Sequence, residues 1–273
     1  MAMKNTFDLK RFGKYFLYDL RQAWTRYGIL FLTLALFPVI YFVLTGSLGL
    51  LLGKAWHFPG EMERAFFYTC VLLVFLMTMP IVVYGFLTER QAGASWLLLP
   101  ASRLEKYVSM LGVVLLVMPV AFMLIYAVAD ALLCACFPAL GEPMSGRDWW
   151  TVNAENVVQS DVVRFTKTGL WLGTFLGNSC ILLFFLLGGL VFKRRKGAKT
   201  LLTLMALVSA GVLTAIGAVY LVIKHDGGMD AARLMEHPDR LEFWINFLLH
   251  LLTTVPCVLL LVGTWFRLKT LKH

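Results

Sequence analysis

Six long apolar runs separated by short charged connections dominate this chain of 273 residues and limit what it can fold into. They are Gly28–Leu52, Ala65–Leu87, Tyr107–Phe137, Gly169–Phe192, Leu201–Ile223 and Phe243–Phe266. A helix needs about 20 apolar residues to cross a hydrocarbon core, because each adds ~1.5 Å of rise and lipid offers no partner to open backbone groups. The runs predict an all-α integral membrane protein, a single domain with six transmembrane helices. At 59% hydrophobic and 15% charged residues, the composition also lies outside the usual soluble range. The first run, 25 residues long, exceeds a signal-peptide core and reads as an uncleaved span. Pro38, Pro80, Pro119 and Pro256 fall inside four runs. Bends are expected there rather than ends, since neighbouring helices in a bundle can satisfy the freed backbone groups.

The net charge of +9 is distributed as clusters of Lys and Arg between the runs, a pattern of membrane topology, so no nucleic-acid partner is expected. The N-terminal segment, second loop, fourth loop and C-terminus together hold 17 basic residues, against 8 in the other three loops. Basic residues near span ends are retained in the cytoplasm, which predicts cytoplasmic N and C termini. The acidic residues agree, with four on the inner side, eleven on the outer side and Asp130 within a run. All eight tryptophans lie in loops or near a run's end, as rings that prefer the headgroup layer do. The five cysteines sit in apolar stretches without the Cys/His spacing of a zinc site, so no metal is implied. The longest outer loop, Pro138–Thr168, carries Trp149 and Trp150 and reads as a short amphipathic surface element.

Two elements on the cytoplasmic side carry more pattern than connectors need. Leu9–Tyr27 reads as an amphipathic interfacial helix, with Leu9, Phe12, Phe16, Leu20, Ala23 and Tyr27 on one stripe and Lys10, Arg11, Lys14 and Arg21 opposite. Such a helix suits the headgroup layer of membrane lipids, where Phe12, Phe16, Leu20 and Trp24 are its anchoring candidates. In the loop Gly93–Lys106, Ser102 and Glu105 have capping-box spacing and fix the start of the third helix. Leu97, Leu98 and Leu99 ahead of Pro100 give that loop an apolar surface, which must meet lipid or protein.

The run Leu-Leu-Leu-Pro-Ala-Ser-Arg-Leu-Glu-Lys at 97–106, behind an amphipathic N-terminal helix and two spans, resembles permease subunits of type 2 ABC exporters, especially those of Bacteroidota. The later half of the chain is similar only in span number, topology and size. The resemblance implies a multi-pass subunit of the bacterial cytoplasmic (inner) membrane that pairs with a second permease subunit, a copy or a paralogue. It also implies a separate cytoplasmic ATPase subunit, holding the ATP and Mg, docked at a coupling loop over 93–106. Leu97, Leu98, Leu99, Pro100, Ser102, Arg103, Glu105 and Lys106 are the docking residues on this reading. The chain has no Gly-x-x-x-x-Gly-Lys-Ser/Thr loop, so no ATP site of its own and no bound cofactor are expected.

Polar groups within the runs supply further candidates. Asp130 is the only acid well inside one, and a carboxylate there costs ~2.5 to 3.5 kcal/mol on insertion scales. Asp130 and His250 each lie seven residues from the outer end of their runs, about 10 Å deep, which predicts a contact lining the outer pathway. Gly169, Gly173 and Gly177 recur at four-residue spacing and leave a flat groove for another helix, within the subunit or at a dimer seam. Two rival readings are a six-span intramembrane serine protease using Ser179 and His250, and an ABC-type resistance or sensing subunit that moves no substrate. Cys180 and Thr254 stand where the protease reading wants small residues, which disfavours it.

Overall fold

The computed structural model describes residues 7–89, 93, 96, 98–143, 167–225 and 238–270, with side chains over 7–89, 93, 96, 98–143, 175–214, 217 and 254–270. The surface element expected around Trp149 and Trp150 lies outside these residues. Among the described residues the chain is all-helical, and each of the six apolar runs falls on helix. In order these are α1 (Leu9–Ala35), α2 (Phe37–Leu51), α3 (Glu61–Tyr84), α4 (Arg103–Gly112), α5 (Met118–Cys136), α6 (Lys167–Val191), α7 (Lys196–His225) and α8 (Pro238–Thr270). A 3₁₀ turn, Gly85–Thr88, extends α3, and a π-helical turn, Val113–Val117, joins α4 to α5. Among the described residues, Glu61–Thr88, Arg103–Cys136 and Lys196–Thr214 are long and apolar enough to cross a membrane. The pair α1 and α2, bent by 51°, makes a fourth if it is one span.

The expected boundary between an interfacial helix ending at Tyr27 and a span beginning at Gly28 is absent: α1 runs unbroken to Ala35. Nothing at Tyr27 or Gly28 removes a hydrogen bond, and Gly28 is covered by the Trp24 ring. The break comes instead at Leu36, where Pro38 opens α2 without an N–H for the carbonyl of Leu34. Pro38 therefore separates two helices, whereas Pro80 and Pro256 lie inside α3 and α8. Pro119 follows the π-helical turn, which holds the Leu115 carbonyl that Pro119 leaves without a donor.

The bundle centres on α3, which packs on α1 and α6; α6 in turn packs on α8 and α7, while α1 meets α4 and α2 meets α5. Phe75 of α3 and Phe122 of α5 stack with centroids 4.3 Å apart, and Phe31 of α1 meets Phe75 edge-on at 5.8 Å. In lipid, burial from water does not drive helices together, so close packing and interhelical hydrogen bonds carry the association. Tyr107 donates to the Leu261 carbonyl at 2.7 Å, Arg267 Nε to the Leu190 carbonyl at 3.0 Å, and Lys196 Nζ to the Gly85 carbonyl at 2.7 Å. Helix α7 joins the others mainly near its start, where Thr200 is buried against Gly188, and its side chains from Met205 to Thr214 are exposed.

That junction allows no extra atom: a Cβ on Gly188 would lie 2.8 Å from Thr200 Cβ. Gly188→Ala is expected to lower stability by about 1 to 3 kcal/mol, as overpacking does. Adding Thr200→Gly should recover most of the loss in a detergent-solubilised thermal melt.

Candidate functional site

The loop 93–106 and the start of α1 are joined by one carboxylate. Ser102 caps α4: its Oγ accepts from Glu105 N at 3.2 Å, and Glu105 Oε2 accepts from Ser102 N at 2.8 Å, the reciprocal pair that the spacing predicts. Glu105 then does more than cap. Its Oε1 accepts from Asp8 N at 2.9 Å and from Arg11 Nη2 at 2.6 Å, and its Oε2 accepts from Arg11 Nε at 2.9 Å. Arg11 thus turns toward the loop and away from the basic face on which the helical pattern puts it. The carboxylate itself is wholly buried. Beside it Lys106, 3% exposed, donates to the Trp96 carbonyl at 2.8 Å and lies over the Trp96 ring, 4.8 Å from its centroid.

These contacts divide the expected docking residues into two sets. Leu98, Pro100, Arg103 and Leu104 are exposed, with Leu98 at 84%. Glu105 and Lys106 are corrected from surface to support, because their charged groups are spent on Arg11, the cap and Trp96. Leu99 packs against the core, Ser102 is half-buried as the cap, and Leu97 lies outside the described residues. Arg103 Nη1 also donates to the Lys269 carbonyl at 3.2 Å, tying the exposed face to the end of α8. On α1, Phe12, Phe16 and Leu20 are half-buried, and Phe16 reaches Gly112 of α4, so the stripe turns toward the bundle rather than lying free on lipid. Trp24 is exposed at 53%.

Asp19, which the aromatic stripe passes over, lies at the centre of the buried face of α1 between Tyr15 and Ala23. Tyr84 of α3 and Ser109 of α4 donate to its Oδ2 at 2.8 and 2.7 Å. One acid thereby links three helices. The sequence does carry a signal for it: Asp19 is the only acidic residue between Asp8 and Glu61, and it sits four residues from Tyr15 and from Ala23.

At the opposite end of α3 and α5 the partner of Asp130 is Arg64, whose Nη1 donates to Asp130 Oδ1 at 2.8 Å with both side chains nearly inaccessible. The contact expected between Asp130 and His250 falls on a histidine side chain outside the described residues. Arg64 Nη2 donates to the carbonyls of Leu140 and Glu142 at 3.0 and 2.7 Å, and Nη1 also meets Cys134 Sγ at 2.9 Å. Between those carbonyls Gly141 takes φ +79, where a Cβ would be strained and would press within 3.1 Å of Glu61. Sequence pattern overlooks Arg64 because it stands one residue ahead of an apolar run and reads as a flanking charge. Of the glycine series, Gly177 has open space where its Cβ would be, while Gly169 and Gly173 lie on α6 outside the described side chains. Ser179 is buried on α6, and the histidine of the protease reading is not among the described side chains.

A buried pair broken on one side leaves a charge without its counterpart, at a cost of about 3 to 5 kcal/mol. Arg64→Met alone and Asp130→Leu alone should each lower stability by that order. The double substitution should be markedly less damaging than their sum, as a thermal melt of all four proteins would show.

No protein-family model, no curated protein and no solved structure matches this chain.

Proposed function

We propose that this chain is the membrane-spanning permease subunit of an ATP-driven ABC exporter. It crosses the bacterial cytoplasmic membrane six times with both ends in the cytoplasm, and pairs with a second permease subunit, identical or paralogous. A separate ATPase subunit, which supplies the ATP and Mg site, docks at the 93–106 loop. The observation that carries this reading is the two-sided character of that loop. Its outward face offers Leu98, Pro100, Leu104 and the basic Arg103, while its inward face is fixed by Glu105, Lys106 and Trp96.

An apolar surface with a single cation suits a partner with a greasy cleft edged by carboxylates. Its rigid backing is what a coupling element needs. A push on Leu98 and Leu104 reaches α4 directly through the cap and α1 through Arg11 and Asp8, so loop and two helices move as one unit. Asp19 carries the same displacement on to Tyr84 of α3. Alternating access on this reading is a concerted tilt of α1, α3 and α4 driven from below.

Leu98 lends itself to the test, since at 84% exposure its replacement leaves the core untouched. Leu98→Asp is expected to reduce the ATPase activity that co-purifies with the detergent-extracted chain by tenfold or more, with the melt unchanged. Co-purification at the wild-type level would remove the docking assignment. In contrast, Glu105→Gln should leave the outward face in place and weaken the tie to Arg11, so ATPase binding should persist while its response to the permease falls.

A further inference from the structure

Two thiols meet where α6 packs on α8. Cys257 Sγ lies 3.4 Å from the carbonyl oxygen of Leu176, the residue one helical turn before Cys180. That carbonyl is the one the Cys180 backbone N–H reaches within α6, so Cys257 arrives beside the Cys180 side chain, and the two thiols are in hydrogen-bond contact. Cys257 is 6% exposed, whereas Cys180 is only half-buried. The pair therefore joins one partly exposed cysteine to a buried one packed beside it. The other three cysteines are placed differently: Cys134 is engaged by Arg64, Cys136 is exposed beyond it on α5, and Cys70 is half-buried on α3.

We propose that Cys180 and Cys257 form an oxidisable dithiol, a modification site at which a small, neutral two-electron oxidant joins α6 to α8 through a disulfide. The surroundings select this product by charge. Two neutral thiols become one neutral disulfide, and no ion has to be held among apolar side chains. Two thiolates on a monovalent soft cation would leave a net negative charge in the same place.

With a diazenedicarboxamide as oxidant the step balances. Cys180 sulfur adds to one nitrogen of the N=N bond, and its proton goes to the other. Cys257 sulfur then forms the S–S bond, the S–N bond breaks, and the second proton passes to the departing nitrogen. The two sulfurs together lose two electrons, and the diazene leaves as the hydrazine. The dithiol needs only the contact between α6 and α8 and does not depend on an exporter role.

The test uses the full chain in lipid nanodiscs, treated with diamide, blocked with N-ethylmaleimide, digested and analysed by mass spectrometry. The expected result is loss of two of the five thiols and a linked peptide pair containing Cys180 and Cys257, both reversed by dithiothreitol. Cys180→Ser and Cys257→Ser should each abolish the linked pair, and Cys70→Ser should leave it. Oxidised wild-type protein in which Cys180 and Cys257 both carry maleimide at full occupancy would overturn the proposal, as would a link from either to Cys136. The wild-type measurement decides the matter even if a serine variant fails to fold.

Discussion

The carboxylate of Glu105 is the contact on which one whole end of this bundle depends. An inaccessible charge is tolerated only if its lone pairs are filled, and here the donors come from separate parts of the chain: Asp8 N and the Arg11 guanidinium from the N-terminal side, and Ser102 N from the loop. The two segments are remote in sequence, with Arg11 and Glu105 94 positions apart. The start of α4, the placing of α1 along the bundle and the outward face of the loop all follow from filling that one acceptor. A neutral side chain of the same size could cap α4 but would not hold a guanidinium with the same strength.

Two further polar centres repeat the solution with different chemistry. Asp19 is met by hydroxyls, from Tyr84 and Ser109, and Asp130 by a guanidinium that also serves the turn around Gly141. Between them lies an apolar layer of Phe31, Phe75 and Phe122. The division has a physical reason. Aromatic packing is permissive about register in a medium as apolar as the side chains themselves, so the polar contacts at either end set which residues face each other.

The helices are legible in the sequence because their cause is local: an apolar run of sufficient length can satisfy its backbone only as helix in lipid. The reciprocal Ser102 and Glu105 cap is legible for the same reason, being confined to four residues. Pairings across helices are not. Arg11 lies on the basic face by helical periodicity, yet a single buried acid draws it inward. Arg64, at the threshold of α3, meets Asp130 across 66 positions, a pairing that depth along the runs does not single out. The end of α1 is misplaced by pattern because the aromatic and basic alternation fades at Tyr27 although the hydrogen bonding does not, and only the proline at 38 interrupts it.

That unbroken α1 has a mechanical consequence. From Arg11 to Ala35 it is a stiff rod of ~36 Å, fastened near one end by Glu105 and ending at the other in the 51° elbow at Leu36. A rod held this way is a lever with a long arm. Sliding its fastened end sideways by ~2 Å turns it through only about 3° at that length, a change that an elbow can take up by small adjustments of a few backbone torsions. Had the helix ended at Tyr27, the same displacement would have been lost in a loose joint there. The continuous helix instead delivers it, nearly undiminished in angle, to the far side of the aromatic layer.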